Sequence, residues 1–272
     1  MKKIISFSCL FLFLLFFTCF SLYSQEEVDW LAISFDYLEE NKPDSAEIAL
    51  KNALKHRPAN PLNPFLLNNL GTIQRQLGKN EEALVSYTAA LGTYPQNKLF
   101  LSSRGALFAA MNQPENAIID YSVLLDNYPN NEEALYQRGL LYLQVKNMEA
   151  AEADFQQMLQ LNPDGLYPRL GMASLAKFRG DFEDAEKIYN YLIDKEPELS
   201  DLYAGRAEVY LLMGKGSKAS ADATKAIRIR GENPDPYLYV IRYRAKLLLH
   251  EKAGAQKDLQ QAIELGYQMS KE

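Results

Sequence analysis

Seven alanines recur along the chain at a near-constant interval, and that recurrence limits the fold more than any other feature. They stand at Ala46, Ala83, Ala117, Ala151, Ala185, Ala219 and Ala255, with spacings of 37, 34, 34, 34, 34 and 36 residues. Four places after the alanine comes a large side chain in six copies: Leu50, Tyr87, Tyr121, Phe155, Tyr189 and Leu259, with Ala223 the exception. Twelve places after it comes proline in the first five, at Pro58, Pro95, Pro129, Pro163 and Pro197. Self-similarity at such a period marks a repeat architecture, in which one unit cannot bury its own apolar face and neighbours must stack.

Within a copy the pattern reads as two helices. Leu67, Leu70, Ile73 and Leu77 fall at helical spacing, and Ala83, Leu84, Tyr87 and Leu91 follow at the same spacing. Between the halves stands a residue suited to positive φ: Asn41, Gly78, Asn112, Gly180 and Gly214, with Lys146 and His250 in the same place in the other two copies. Asn63-Pro64 and Asp235-Pro236 read as an N-cap followed by a first-turn proline. Small residues at Gly71, Gly105, Gly139, Ala173 and Ala207 mark where two helices cross closely. The expected unit is a helix–turn–helix hairpin.

This period and these residues resemble the tetratricopeptide repeat family over residues 27–269, in units 27–60, 64–97, 98–131, 132–165, 166–199, 200–233 and 236–269. Ser34 takes the small-residue place in the first unit, and Trp30, Tyr37, Tyr142 and Tyr210 take the family's first-helix aromatic places. The last unit departs, with Tyr243 at the small-residue place and Tyr267 where proline is expected. The resemblance implies an all-α, right-handed α-solenoid of about seven repeats. Its concave wall, made mainly by first helices, would hold a peptide or helix of a partner protein. In this register that wall carries Phe65, Asn68, Asn69, Leu99, Tyr136, Gln137, Tyr167, Leu170, Tyr237, Val240 and Arg244. The family's carboxylate-gripping variety uses lysines and asparagines at set first-helix positions. Here those positions hold Leu31, Phe35, Asn68, Thr72, Ser102 and Ala106, so a chaperone clamp of that kind is not expected.

The first two dozen residues are a separate object. Lys2 and Lys3 precede the apolar run from Cys9 to Phe17, and the small residues Ser21 and Ser24 follow it, which describes a secretory signal peptide over residues 1–24. Cleavage after Ser24 leaves Gln25 as the mature N-terminus, and cleavage after Ser21 is the near alternative. Two rivals are an uncleaved span from Ile4 to Tyr23 and lipid attachment at Cys19, although Thr18 and Phe16 sit where a lipoprotein signal wants a small residue and leucine. Each places the body, residues 25–272, outside the cytosol, in the periplasm or cell envelope, and a membrane contact would come only from such an anchor or lipid. Both cysteines, Cys9 and Cys19, lie in this segment, so the body holds together without a disulfide.

Chemistry-bearing motifs are sparse. His56 closes a helix beside Lys55 and Arg57, and His250 occupies an inter-helix turn, so neither is expected to catalyse or ligate a metal. Glu81-Glu82, Glu132-Glu133 and Glu183-Asp184 fall in first turns of helices, where negative charge suits the macrodipole. Gly214-Lys215-Gly216-Ser217 reads as a turn, having no strand before it. No enzyme activity and no cofactor are expected. Arg104, Arg138, Arg206 and Arg242 recur at one repeat position, where they could form a track for phosphate or carboxylate; the family resemblance favours contacts between repeats instead. The chain carries -6 overall, or -8 once Lys2 and Lys3 are removed, which argues against nucleic acid as a partner. That charge is uneven: residues 25–199 hold 26 acidic and 15 basic side chains (-11), and residues 200–272 hold 9 and 12 (+3). The expected function is a non-enzymatic protein-interaction scaffold of the bacterial envelope. The alternative is a structural spacer in an outer-membrane or cell-wall assembly.

Overall fold

The computed structural model describes residues 29–268, so the leader and its alternatives lie outside the described residues. Fourteen α-helices and no strand occur among the described residues. They gather into two compact units. The first ends at Pro95 and holds α1 (Trp30–Glu39), α2 (Pro43–His56), α3 (Asn63–Gln76) and α4 (Asn80–Thr93). The second begins at Gln96 and holds α5 (Lys98–Ala110), α6 (Pro114–Asn127), α7 (Glu132–Gln144), α8 (Met148–Leu161) and α9 (Leu166–Arg179). It continues through α10 (Phe182–Lys195), α11 (Ser200–Leu212), α12 (Gly216–Arg230), α13 (Pro236–Leu248) and α14 (Lys252–Glu264). In both units consecutive helices pack as hairpins, α1 with α2 through to α13 with α14.

Each hairpin turns the same way, because its backbone hydrogen bonds require it. In all seven turns an amide reaches back five residues, as Lys79 N–H does to the Gln74 carbonyl and Asn147 N–H to the Tyr142 carbonyl, both at 2.8 Å. That closure forces the preceding residue into the left-handed region. Asn41, Gly78, Asn112, Lys146, Gly180, Gly214 and His250 all have φ between 55° and 88°. Lys146 and His250 adopt it with full side chains, at a cost of about 1–2 kcal/mol each.

The seven recurring alanines are all 0% exposed. Each is the point where a second helix presses on its neighbours. Four places later the large side chain fills the space between first helices, and Phe155 shows how little space there is. A Cβ added to Gly139 would stand 2.4 Å from the Phe155 ring, and one added to Gly171, on the next first helix, would also stand 2.4 Å away. Two glycines therefore form the two walls of one aromatic slot, while Ala185, Leu192, Leu202, Val209 and Leu238 build a continuous core further along the second unit.

One cap differs from the sequence expectation. Asp235 caps α13 by accepting from the Tyr237 amide at 2.8 Å, but Asn63 lies inside α3 and caps nothing there. Its side-chain amide donates instead to the carbonyls of Arg57 and Pro58, at 2.8 and 3.0 Å, tying off the end of α2. The short connection between α2 and α3 brings those orphan carbonyls within reach, and Asn60 takes the Leu62 amide.

Bulk in the aromatic slot has a measurable cost. Gly139→Leu and Ala151→Leu should each destabilise by about 1–3 kcal/mol through overpacking, and the loss should extend to adjoining hairpins because they share an interface. Urea melts followed by circular dichroism measure it. Melts matching wild type for both variants would mean that the register assigned to the repeats is wrong.

Candidate protein-binding wall

The recurring arginines are structural, and their partners lie within the hairpin. Arg104, Arg138, Arg206 and Arg242 each aim Nε and Nη2 at both oxygens of an aspartate 16 residues later: Asp120, Asp154, Asp222 and Asp258, at 2.7–2.9 Å. All four aspartates are buried. Contacts between repeats are the secondary part: Arg138 also donates to Ser122, Arg206 to Asn190 and Arg242 to Thr224, each on the second helix of the preceding hairpin. Burial pushes the Asp154 carboxyl above the usual carboxylate range despite Arg138. At Asp258 burial acts the same way, but Arg242 together with Lys246, 2.8 Å away, brings that carboxyl below it. The corresponding pair in the α9–α10 hairpin is Met172 and Ile188, both half-buried and apolar.

Breaking such a pair differs from replacing it. Arg138→Met or Asp154→Ile alone should cost about 3–5 kcal/mol, because a buried charge loses its partner, whereas the double variant, which copies Met172 and Ile188, should lie close to wild type. Chemical denaturation of the three variants reads this directly. Additive losses would mean that the ion pair is not the unit of stabilisation.

In the first unit a carboxylate, Glu47 on α2, is buried at 3% exposure. Lys51 and Lys79 contact it at 2.6 and 2.7 Å, and Gln74 donates to it at 3.3 Å while accepting from Ser86. Burial alone would raise this carboxyl, but those bonds bring it from its ordinary 4.5 down to about 2. A lowered folded value means that the stabilisation is complete above pH 4.5 and is lost as pH falls toward about 2. Glu47→Gln should therefore lower the melting temperature at pH 6, with the gap to wild type narrowing by pH 3. A pH-independent gap would exclude this ionisation as the source.

The wall residues expected from sequence fall into three places. On α3, Phe65 is half-exposed beside the Tyr94 ring, 6.1 Å between centroids. Asn69 is exposed at a pocket of about 700 Å³ shared with Phe35, Leu38, Thr72 and Gln76. Asn68 lies beneath the surface at 3% exposure, and its Oδ1 has no hydrogen-bond partner. Leaving such a group unpaired costs about 1–3 kcal/mol. In the second unit, Leu99 is exposed on α5. On α7 and α9 the Tyr136 and Tyr167 rings meet edge to face at 5.4 Å, with Gln137 half-buried beside Tyr136. Tyr136 also tilts against the buried Phe155, 6.3 Å away, and burial pushes its phenol up, whereas Tyr167 is 58% exposed. Leu170 turns inward and packs against the core.

The third place is on α13. Tyr237 and Arg244 border an open groove of about 530 Å³ with Leu211, Leu212, Leu247 and Leu248, none of them singled out by the sequence reading. Val240, expected on the wall, is buried at 3% exposure, so its side of α13 is covered rather than open to a ligand. Among the described residues no group of three or more His, Cys, Asp and Glu side chains is placed to hold a metal, and no helix is long and apolar enough to cross a membrane.

Comparison with known proteins agrees with this architecture. Tetratricopeptide repeat family models match residues 33–98, 104–131 and 132–164. The crystal structure of a tetratricopeptide repeat protein from Parabacteroides merdae is 43% identical, covering 88% of this chain and 93% of that one, with a TM-score of 0.82. The chain belongs to the tetratricopeptide repeat family. MamA from Desulfovibrio magneticus shares the fold at 20% identity and a TM-score of 0.56, over 62% of this chain and 93% of that one. A rice protein, an SGT1 homolog, is 34% identical over 87 residues, which is 32% of this chain and only 22% of that protein. The fold is that of a protein–protein interaction scaffold.

Proposed function

We propose that this chain is a non-enzymatic scaffold of the bacterial cell envelope, holding a peptide or helix of a partner protein against its first-helix wall. The observation that carries the reading is the Tyr136–Tyr167 pair. It offers two aromatic rings, one anchored on Phe155 and one mostly in solvent, on successive first helices. Aromatic side chains held rigidly at a surface are favoured anchors for binding, because they give large contact area at little entropic cost. Gln137 beside them supplies hydrogen bonds for a peptide backbone. Export is supported by the charged and apolar leader and by a body without cysteine.

Mature protein immobilised on beads and exposed to solubilised envelope extract tests the reading. Tyr136→Ala with Tyr167→Ala should weaken retention of the recovered partner by more than about tenfold, or about 1.4 kcal/mol, at unchanged helicity. Tyr167→Ala alone, at the more exposed ring, guards against a folding effect. Undiminished retention by folded variants would place the interface elsewhere, and no retained partner at all would sink the scaffold reading.

A further inference from the structure

The last three hairpins expose a large apolar side chain at one repeat position where the first four do not. Two places before the left-handed turn residue stand Phe178, Leu212 and Leu248, exposed at 48%, 56% and 47%. The same place holds Glu39, Gln76, Ala110 and Gln144 in the earlier copies. Leu212 and Leu248 line one open groove, to which α9 contributes Lys177, the residue before Phe178. Leu211 and Leu247 stand one residue before theirs and line the same groove, which makes the apolar strip two side chains wide.

The charge beside this strip is unbalanced. Glu208 is paired with Lys177 at 2.6 Å, so its charge is already matched. Arg244 is exposed on the groove, and among the described residues no carboxylate lies within ion-pairing distance of it. The groove therefore carries a net positive charge on an otherwise acidic protein, in the stretch where residues 200–272 sum to +3. An acidic ligand is repelled from residues 25–199, at -11, and attracted here.

We infer that the groove along α9, α11 and α13 docks an amphipathic, acidic helix of a partner protein, with Arg244 pairing a carboxylate at its edge. This rests on the scaffold reading and adds to it the chemistry of the partner and a second place of contact. A helix fits better than an extended strand, because an apolar helix face is more than one side chain wide, as is the strip of Leu211, Leu212, Leu247 and Leu248, whereas a strand presents a single row on one side.

The test uses the full mature chain and two labelled helical peptides of about three heptads, with leucine at a, alanine at d and either glutamate or lysine at e and g. The glutamate peptide should bind at least about tenfold more tightly than its lysine copy in fluorescence anisotropy, a difference of about 1.4 kcal/mol. Arg244→Glu should reverse that order. Leu212→Ser with Leu248→Ser should abolish binding while circular dichroism stays unchanged, since both side chains are exposed. Failure of the glutamate peptide to bind, equal binding of both peptides, or undiminished binding by the serine variants would overturn the assignment. Self-association that the serine variants lose would make a second copy the occupant and overturn it as well. Partner retention that depends on Tyr136 and Tyr167 but not on Leu212 and Leu248 would leave the scaffold reading standing without this one. Peptide binding in the groove with no partner retained from the envelope would do the reverse.

Discussion

The close approach of a first helix to the second helix that follows it sets everything else in this chain. The slot holding Phe155 has glycine on both sides, and neither could accept a Cβ without moving the ring. Once that contact is made, residues 16 apart face each other, and the rest of the hairpin is built on that spacing. Arg104 meets Asp120 and Arg138 meets Asp154 across it. The same helix pairing leaves the outer side of the first helices free for tyrosines that touch solvent.

Burial of charge in a repeat protein looks wasteful, because desolvation opposes the attraction. The bidentate geometry answers this by satisfying both carboxylate oxygens with two guanidinium donors. The α9–α10 hairpin shows that the same space can be filled without ions, by Met172 and Ile188. Glu47 achieves a similar result in the first unit with two lysines and a glutamine. The first two sets fill one repeat position, and Glu47, two residues earlier in the register, is a separate buried charge with its own partners.

Much of this was legible in the sequence because the repeat makes its own alignment. The alanines, the turn residues and the small residues each recur at one repeat position; the alanines and small residues are buried, and all seven turn residues take positive φ, Lys146 and His250 against their own preference. The arginine ladder was legible only in half. Recognising Asp120, Asp154, Asp222 and Asp258 as its partners requires knowing which faces of the two helices meet, and periodicity within one helix does not contain that information. For the same reason Asn68 and Val240 read as surface but are buried, since a first helix has neighbours on more than one side. The recurrence of exposed Phe178, Leu212 and Leu248 at one repeat position was present in the register all along. It was hidden because apolar residues near a helix end read as core.

The turn inside each hairpin never varies in length. From the left-handed residue to the buried alanine is always five residues, from Asn41 to Ala46 through to His250 to Ala255. The two departures from the 34-residue period fall instead near Pro61 and Pro234, in the connections from α2 to α3 and from α12 to α13. Duplication and drift can therefore lengthen the chain between hairpins without disturbing any slot or ion pair, while one residue added inside a hairpin would uncouple all of them. The hairpin, not the helix, is the piece that heredity can copy and shuffle intact.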